Sequence, residues 1–140
     1  MIRDRKKGGK RKPDYLEILV PNLLDDAAFE TAATQWDKAD TVWATLPRPM
    51  SPHQIETMVT FLLRKIPREF AFVLLSDLAE DRPMRADLLE QIFDTGNESC
   101  QVSVCLRSDL DERLEEKCRN SPNEQVREHH EARIRYRQMG

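Results

Sequence analysis

Between residue 10 and residue 139 the chain contains one glycine, Gly96. Tight hairpin turns need positive φ, and so Gly or Asn-Gly pairs, which disfavours a hairpin-connected sheet protein. Proline supplies the punctuation instead, at positions 21, 47, 49, 52, 67, 83 and 122. Its fixed φ and missing N–H suit the starts and stops of helices. The pattern predicts short helices from end to end.

Their places follow from apolar spacing. Leu23, Leu24, Ala27, Ala28, Ala32, Trp36, Ala39, Val42, Trp43 and Leu46 advance in steps of three and four, predicting one long helix capped by Asn22. Trp36 and Trp43, seven apart on its face, read as core. The run Pro47-Arg48-Pro49-Met50-Ser51-Pro52 breaks that helix, so 47–52 is the one candidate boundary within the fold. Ile55, Met58, Val59, Leu62, Leu63 and Ile66 predict the next helix. Phe70, Phe72, Val73, Leu74, Leu75 and Leu78 are apolar nearly all round, which places 68–80 at the centre of the core. Leu88, Leu89, Ile92 and Phe93 predict a helix ending near Gly96 as its C′ residue. Shorter helices are expected over 98–107, 109–119 and 122–137, with Ser108-Asp109 and Ser121 as start signals. The segment Tyr15 to Val20 reads equally as a short helix or an extended arm.

The predicted fold class is all-α, a single domain over 13–140 behind a tail of residues 1–12. Shifting the chain by 30 residues lays Met58, Val59, Leu62 and Leu63 on Leu88, Leu89, Ile92 and Phe93, and periods of 20 to 50 residues mark helical solenoids. In the stretch from Asp109 onward, a helix ends in Asn120-Ser121-Pro122 and Val126-Arg127 opens the next. That stretch resembles HEAT-like and variant leucine-rich helical repeats, over residues 53–137. His129-His130 stand where the family has small apolar residues. The resemblance implies short antiparallel helix pairs stacked as a small α-solenoid, and a binding scaffold without catalytic residues. The spacing alone allows an irregular helical bundle.

The net charge of -3 conceals a split. Residues 1–12 carry Arg3, Arg5, Lys6, Lys7, Lys10, Arg11 and Lys12 against one acid, Asp4, for a net +6. The remaining 15 basic and 24 acidic side chains leave 13–140 at -9. The tail has too little apolar surface to offset its ordering entropy and is expected to be disordered. No apolar run approaches the length of a membrane span, and no secretory leader pattern follows the basic start. Three irregularly spaced cysteines argue against a disulfide scaffold and suit a reducing cytoplasm.

Cys100, Cys105, Cys118, His129 and His130 lie within thirty-one residues. They lack the C-x2-C pair that nucleates a zinc site, and read as buried thiols and a half-buried histidine, with no metal or cofactor. The paired carboxylates read as helix surface, with i,i+4 partners Asp109/Arg113, Glu115/Arg119 and Glu131/Arg135. Phosphate loops and nucleophile elbows are absent from the sequence, so no enzymatic activity is expected. The expected function is protein binding, with Asp109, Asp111, Glu112, Glu115 and Glu116 presented to a basic protein. In size and charge such a chain is similar to bacterial immunity proteins and antitoxin-like inhibitors, or to an adaptor. The alternative is a nucleic-acid-associated accessory protein that binds through residues 3–12, where seven cations allow up to seven phosphate contacts.

Overall fold

Ser51 opens the first long helix. Its Oγ accepts a hydrogen bond from the Gln54 amide while the Gln54 side chain accepts from the Ser51 amide. This reciprocal box satisfies two helix-end donors at once. Pro52 follows at N1, where its missing N–H is no loss. In this computed structural model, residues 15–18 and 26–139 are described. Among them the order is β1 (Tyr15–Ile18), α1 (Asp26–Ala33), a 3-10 turn (Trp36–Lys38), β2 (Thr41–Ala44), α2 (Pro52–Lys65), α3 (Glu69–Asp81), α4 (Ala86–Thr95), α5 (Glu98–Cys105), α6 (Glu112–Arg119) and α7 (Glu124–Met139). The molecule is an all-α helical bundle with a small parallel β1–β2 pair at one side.

α3 lies at the centre, packed chiefly against α5 and α2. Phe70, Ala71, Leu74, Leu75, Leu78 and Ala79 are buried, as the near-continuous apolar run predicts, while Val73 is exposed on the outer side. Small residues bring α5 close: the Ser76 hydroxyl lies 2.9 Å from that of Ser99 and 2.7 Å from that of Ser103. Gly96 follows α4 with φ -81°, so it is no left-handed C′ residue. Its role is close approach: a Cβ there would lie 2.5 Å from both the Ile92 carbonyl oxygen and the Cys100 Cβ.

The single helix expected over 23–46 does not form. Residues 23–25, and Asn22 as its cap, lie outside the described residues. Helix α1 ends at Ala33, the chain turns through Trp36–Lys38, and Thr41–Ala44 is a strand. Thr41, Val42, Trp43 and Thr45 include β-branched and aromatic residues that favour a pleated backbone. Val42, Ala44 and Leu46 are buried while Trp43 and Thr45 are exposed, an alternation of period two. The two tryptophans therefore part company. Trp36 packs edge-on between Phe29 and Phe61, with centroids 5.4 and 5.1 Å away, whereas Trp43 is 36% exposed. β1 settles part of the open 15–20 segment as strand, paired in parallel with β2 from Tyr15↔Thr41 to Ile18↔Ala44.

Two buried arginines stitch the bundle together. Arg82, just past α3, donates from Nε to the Pro47 carbonyl at 2.9 Å and from Nη2 to the Leu46 carbonyl at 2.7 Å. Its Nη1 donates to the Asp77 carbonyl at 3.1 Å and pairs with Asp81 at 2.7 Å. Arg107, after α5, donates from Nη1 to the carbonyls of Ala79 and Arg82 at 2.8 and 2.9 Å. Guanidinium groups thus occupy the C-terminal end of α3, where unmatched carbonyls and the helix dipole favour a cation. The connector 47–52 is consequently tied to the core by Arg82.

All three cysteines are buried, but they are not three thiols. Cys105 at the end of α5 and Cys118 near the end of α6 form a disulfide across 13 residues of sequence, with Cα atoms 5.9 Å apart. The two helices bring together residues whose spacing shows no short-range pairing signal. The case for a reducing compartment from unpaired cysteines loses its basis. Cys100 remains free, its Sγ 3.4 Å from the Phe72 carbonyl oxygen, with burial pushing its thiol pKa up. Replacing Cys105 and Cys118 together by alanine is expected to lower the unfolding free energy by about 3 kcal/mol, the scale for closing a loop of this length. Urea denaturation measures it. Alkylation of the unfolded, unreduced chain should label one cysteine, and labelling of all three would refute the pairing.

Candidate functional site

The acids expected to face a partner divide into two groups. Asp109 is held by Arg107 through a paired contact, Nε–Oδ1 at 2.8 Å and Nη2–Oδ2 at 2.7 Å, which keeps its carboxyl below the usual range. Asp111, rather than Ser108 or Asp109, caps α6 by accepting from the Leu114 amide at 2.9 Å. Glu115 is half-buried: its Oε2 lies 3.4 Å from Arg137 and its Oε1 3.1 Å from Nε2 of His130, which is fully buried. That last pair is close but off hydrogen-bond alignment. These three carboxylates are engaged within the fold. Asp109 and Asp111 are nevertheless exposed, as are Glu112 and Glu116, and Glu112 meets only Arg119, at 3.3 Å.

The expected i,i+4 pairs give way to pairs between helices. Arg113 reaches Glu90 of α4 at 2.9 Å, and Lys117 meets Glu90 at 3.0 Å and Asp94 at 2.6 Å. Hydrogen bonds from Arg113 and Lys117 lower the Glu90 carboxyl, and Asp94 followed by Glu90 raises the Lys117 ammonium. Neither Glu131 nor Arg135 has an ion pair among the described residues. The helices lie side by side, so a long side chain finds its opposite charge on the neighbour as easily as on its own helix.

A groove of about 370 Å³ opens here, lined by Phe93, Arg113, Glu116, Lys117, Asn120, Ser121 and Pro122. Phe93 and Pro122 give it apolar surface, and the Lys117 ammonium stands 6.0 Å from the Phe93 ring centroid. Sequence patterning offers Phe93 as core alone, and the groove arises because the 120–122 turn passes beside it. That turn is fixed locally: Asn123 donates its amide to Ser121 Oγ, Val126 donates its amide to the Asn123 side chain, and Arg127 donates to the Ser121 carbonyl. The cations of the groove are matched by Glu90 and Asp94. Glu116 has no ion pair among the described residues.

A second groove, about 300 Å³, separates α1 from α2, where His53 Nε2 lies 2.8 Å from Glu30 Oε2. No three His, Cys, Asp or Glu side chains gather as a metal-binding group among the described residues. No helix among them is long and apolar enough to cross a membrane. The basic positions Arg3 to Lys12 lie outside the described residues. Comparison with protein-family models, with curated proteins and with solved structures finds no match to this chain.

Proposed function

We propose that the chain is a non-catalytic protein-binding module whose working surface is the α4–α6 groove and its acidic rim. The observation that carries this reading is the imbalance of charge around the groove. Arg113 and Lys117 are matched by Glu90 and Asp94, while Glu116 on the rim has no ion pair among the described residues and Glu112, one turn before it, meets only the exposed Arg119. A lysine or arginine of the partner can lay its methylene stem on Phe93 and Pro122 while its charge meets Glu116. The bonded turn at 120–123 supports a scaffold of stacked helix pairs like that of HEAT-like repeats. An inhibitor of a basic protein, or an adaptor for one, fits this surface.

Nucleic-acid association through residues 3–12 is the second reading, favoured by the +6 charge of residues 1–12. One comparison separates the two. Partners retained by the immobilised full chain should survive deletion of residues 1–12 and be lost after Glu112→Lys/Glu116→Lys. That double reversal should slow association about tenfold or more at low salt, because complementary charge acts mainly on the on-rate. Binding that tolerates the reversal but fails on deletion would overturn the groove reading. It would then show a steep fall of affinity with salt, a log-log slope of about -6 on duplex DNA for seven phosphate contacts.

A further inference from the structure

Helix α7 has 16 residues, about 24 Å, while its neighbour α6 has 8, about 12 Å. Val126 and His130 are buried in its first half, but no residue from Glu131 to Gln138 is. Over these last two turns one edge, with Ile134 and Arg137, lies beside Glu112 and Glu115 of α6, and the outward face is left uncovered. Gln125, Glu128, Ala132, Arg135 and Tyr136 share the outward face by helical spacing, and all are exposed, Tyr136 at 77%.

The charges on this face are ordered along it, acidic first and basic last. Glu128 lies four residues before Ala132, and Arg135 three residues after it, on the same edge of the face. Among the described residues they do not pair with each other, although Glu112 and Arg119 at the same spacing on α6 do. Neither has an ion pair elsewhere among the described residues. On the opposite edge, His129 precedes Ala132 by three and Tyr136 follows it by four.

We infer that α7 pairs antiparallel with α7 of a second copy of this chain, crossing at Ala132. A two-fold axis through that point leaves each edge facing its own copy with the direction reversed. Glu128 of one chain then meets Arg135 of the other, twice by symmetry. Tyr136 of each covers His129 of its mate. Ala132, the small residue at the midpoint, lets the axes approach closely. A two-fold interface must be self-complementary, and this face satisfies that requirement in charge. The patch is smaller than a standard interface, so the dimer exchanges with monomer.

Sedimentation velocity of the full chain tests it. From about 5 to about 500 µM the sedimentation coefficient should rise from the monomer value toward the dimer value, a range set for a small interface. Glu128→Arg or Arg135→Glu alone should raise the dimer dissociation constant about tenfold or more, because each turns two attractions into repulsions. The double variant Glu128→Arg/Arg135→Glu should restore self-association, with the pairs reversed. Both positions are exposed, and circular dichroism of each variant checks that it keeps its helices. A chain that stays monomeric throughout, a dimer indifferent to either single reversal, or a double variant that stays dissociated would each overturn the proposal. So would a monomer that uses this face for a different macromolecule.

Discussion

Replacing Arg82 by alanine is expected to lower the unfolding free energy by about 4 kcal/mol, the scale for removing one partner of a buried charge network. The side chain is 1% exposed and satisfies the carbonyls of Leu46, Pro47 and Asp77 together. Truncation leaves those acceptors buried without donors and opens a cavity where the guanidinium lay. Lysine in its place should recover only part of the loss, because one ammonium cannot span three carbonyls and a carboxylate in a fixed fork. Urea denaturation of both variants measures the difference. A loss below about 1 kcal/mol in the alanine variant would show that water replaces the arginine, against the burial described.

Trp36→Ala should cost about as much, on the order of 4 kcal/mol, for loss of a large buried ring and its two edge-to-face contacts. Trp36 is 2% exposed and is the wedge that fastens the 3-10 turn to α1 and α2 through Phe29 and Phe61. The two tryptophans give a spectroscopic check. The blue-shifted, buried component of emission should vanish, leaving the partly exposed Trp43. Emission that keeps its buried component would assign the buried ring to Trp43 and contradict the alternation in β2.

The helices that the sequence makes legible are those whose apolar residues admit one period. Ile55 to Leu63 and Leu88 to Phe93 fit a helical stripe and nothing else, and α2 and α4 follow from them. Val42, Ala44 and Leu46 alternate, yet Val42, Trp43 and Leu46 also fit helical steps; the β-branched Thr41, Val42 and Thr45 carried the deciding preference. The burial of Arg82 and Arg107 has no signal in the sequence, because it depends on carbonyls distant in the chain. The disulfide has the same character, since two cysteines at the ends of different helices meet only once both helices are placed. The candidate surface was legible in sign but only partly in place. Of its five acids, Glu115 is half-buried, Asp109 and Asp111 are exposed but engaged by Arg107 and the α6 cap, and Glu112 and Glu116 are exposed without such a tie.

The parallel pairing of β1 with β2 has a kinetic consequence. Partners such as Tyr15 and Thr41 are 26 residues apart in sequence, and parallel strands cannot meet through a hairpin. The crossover through α1 and the 3-10 turn must be in place first, so this pairing closes late in folding. A ladder of four residues that forms last, with no further strand beside β1 among the described residues, opens first. Hydrogen exchange should find the amides of this ladder opening far more often than those of α3. The strand pair then behaves as a clasp that releases while the helical body stays folded.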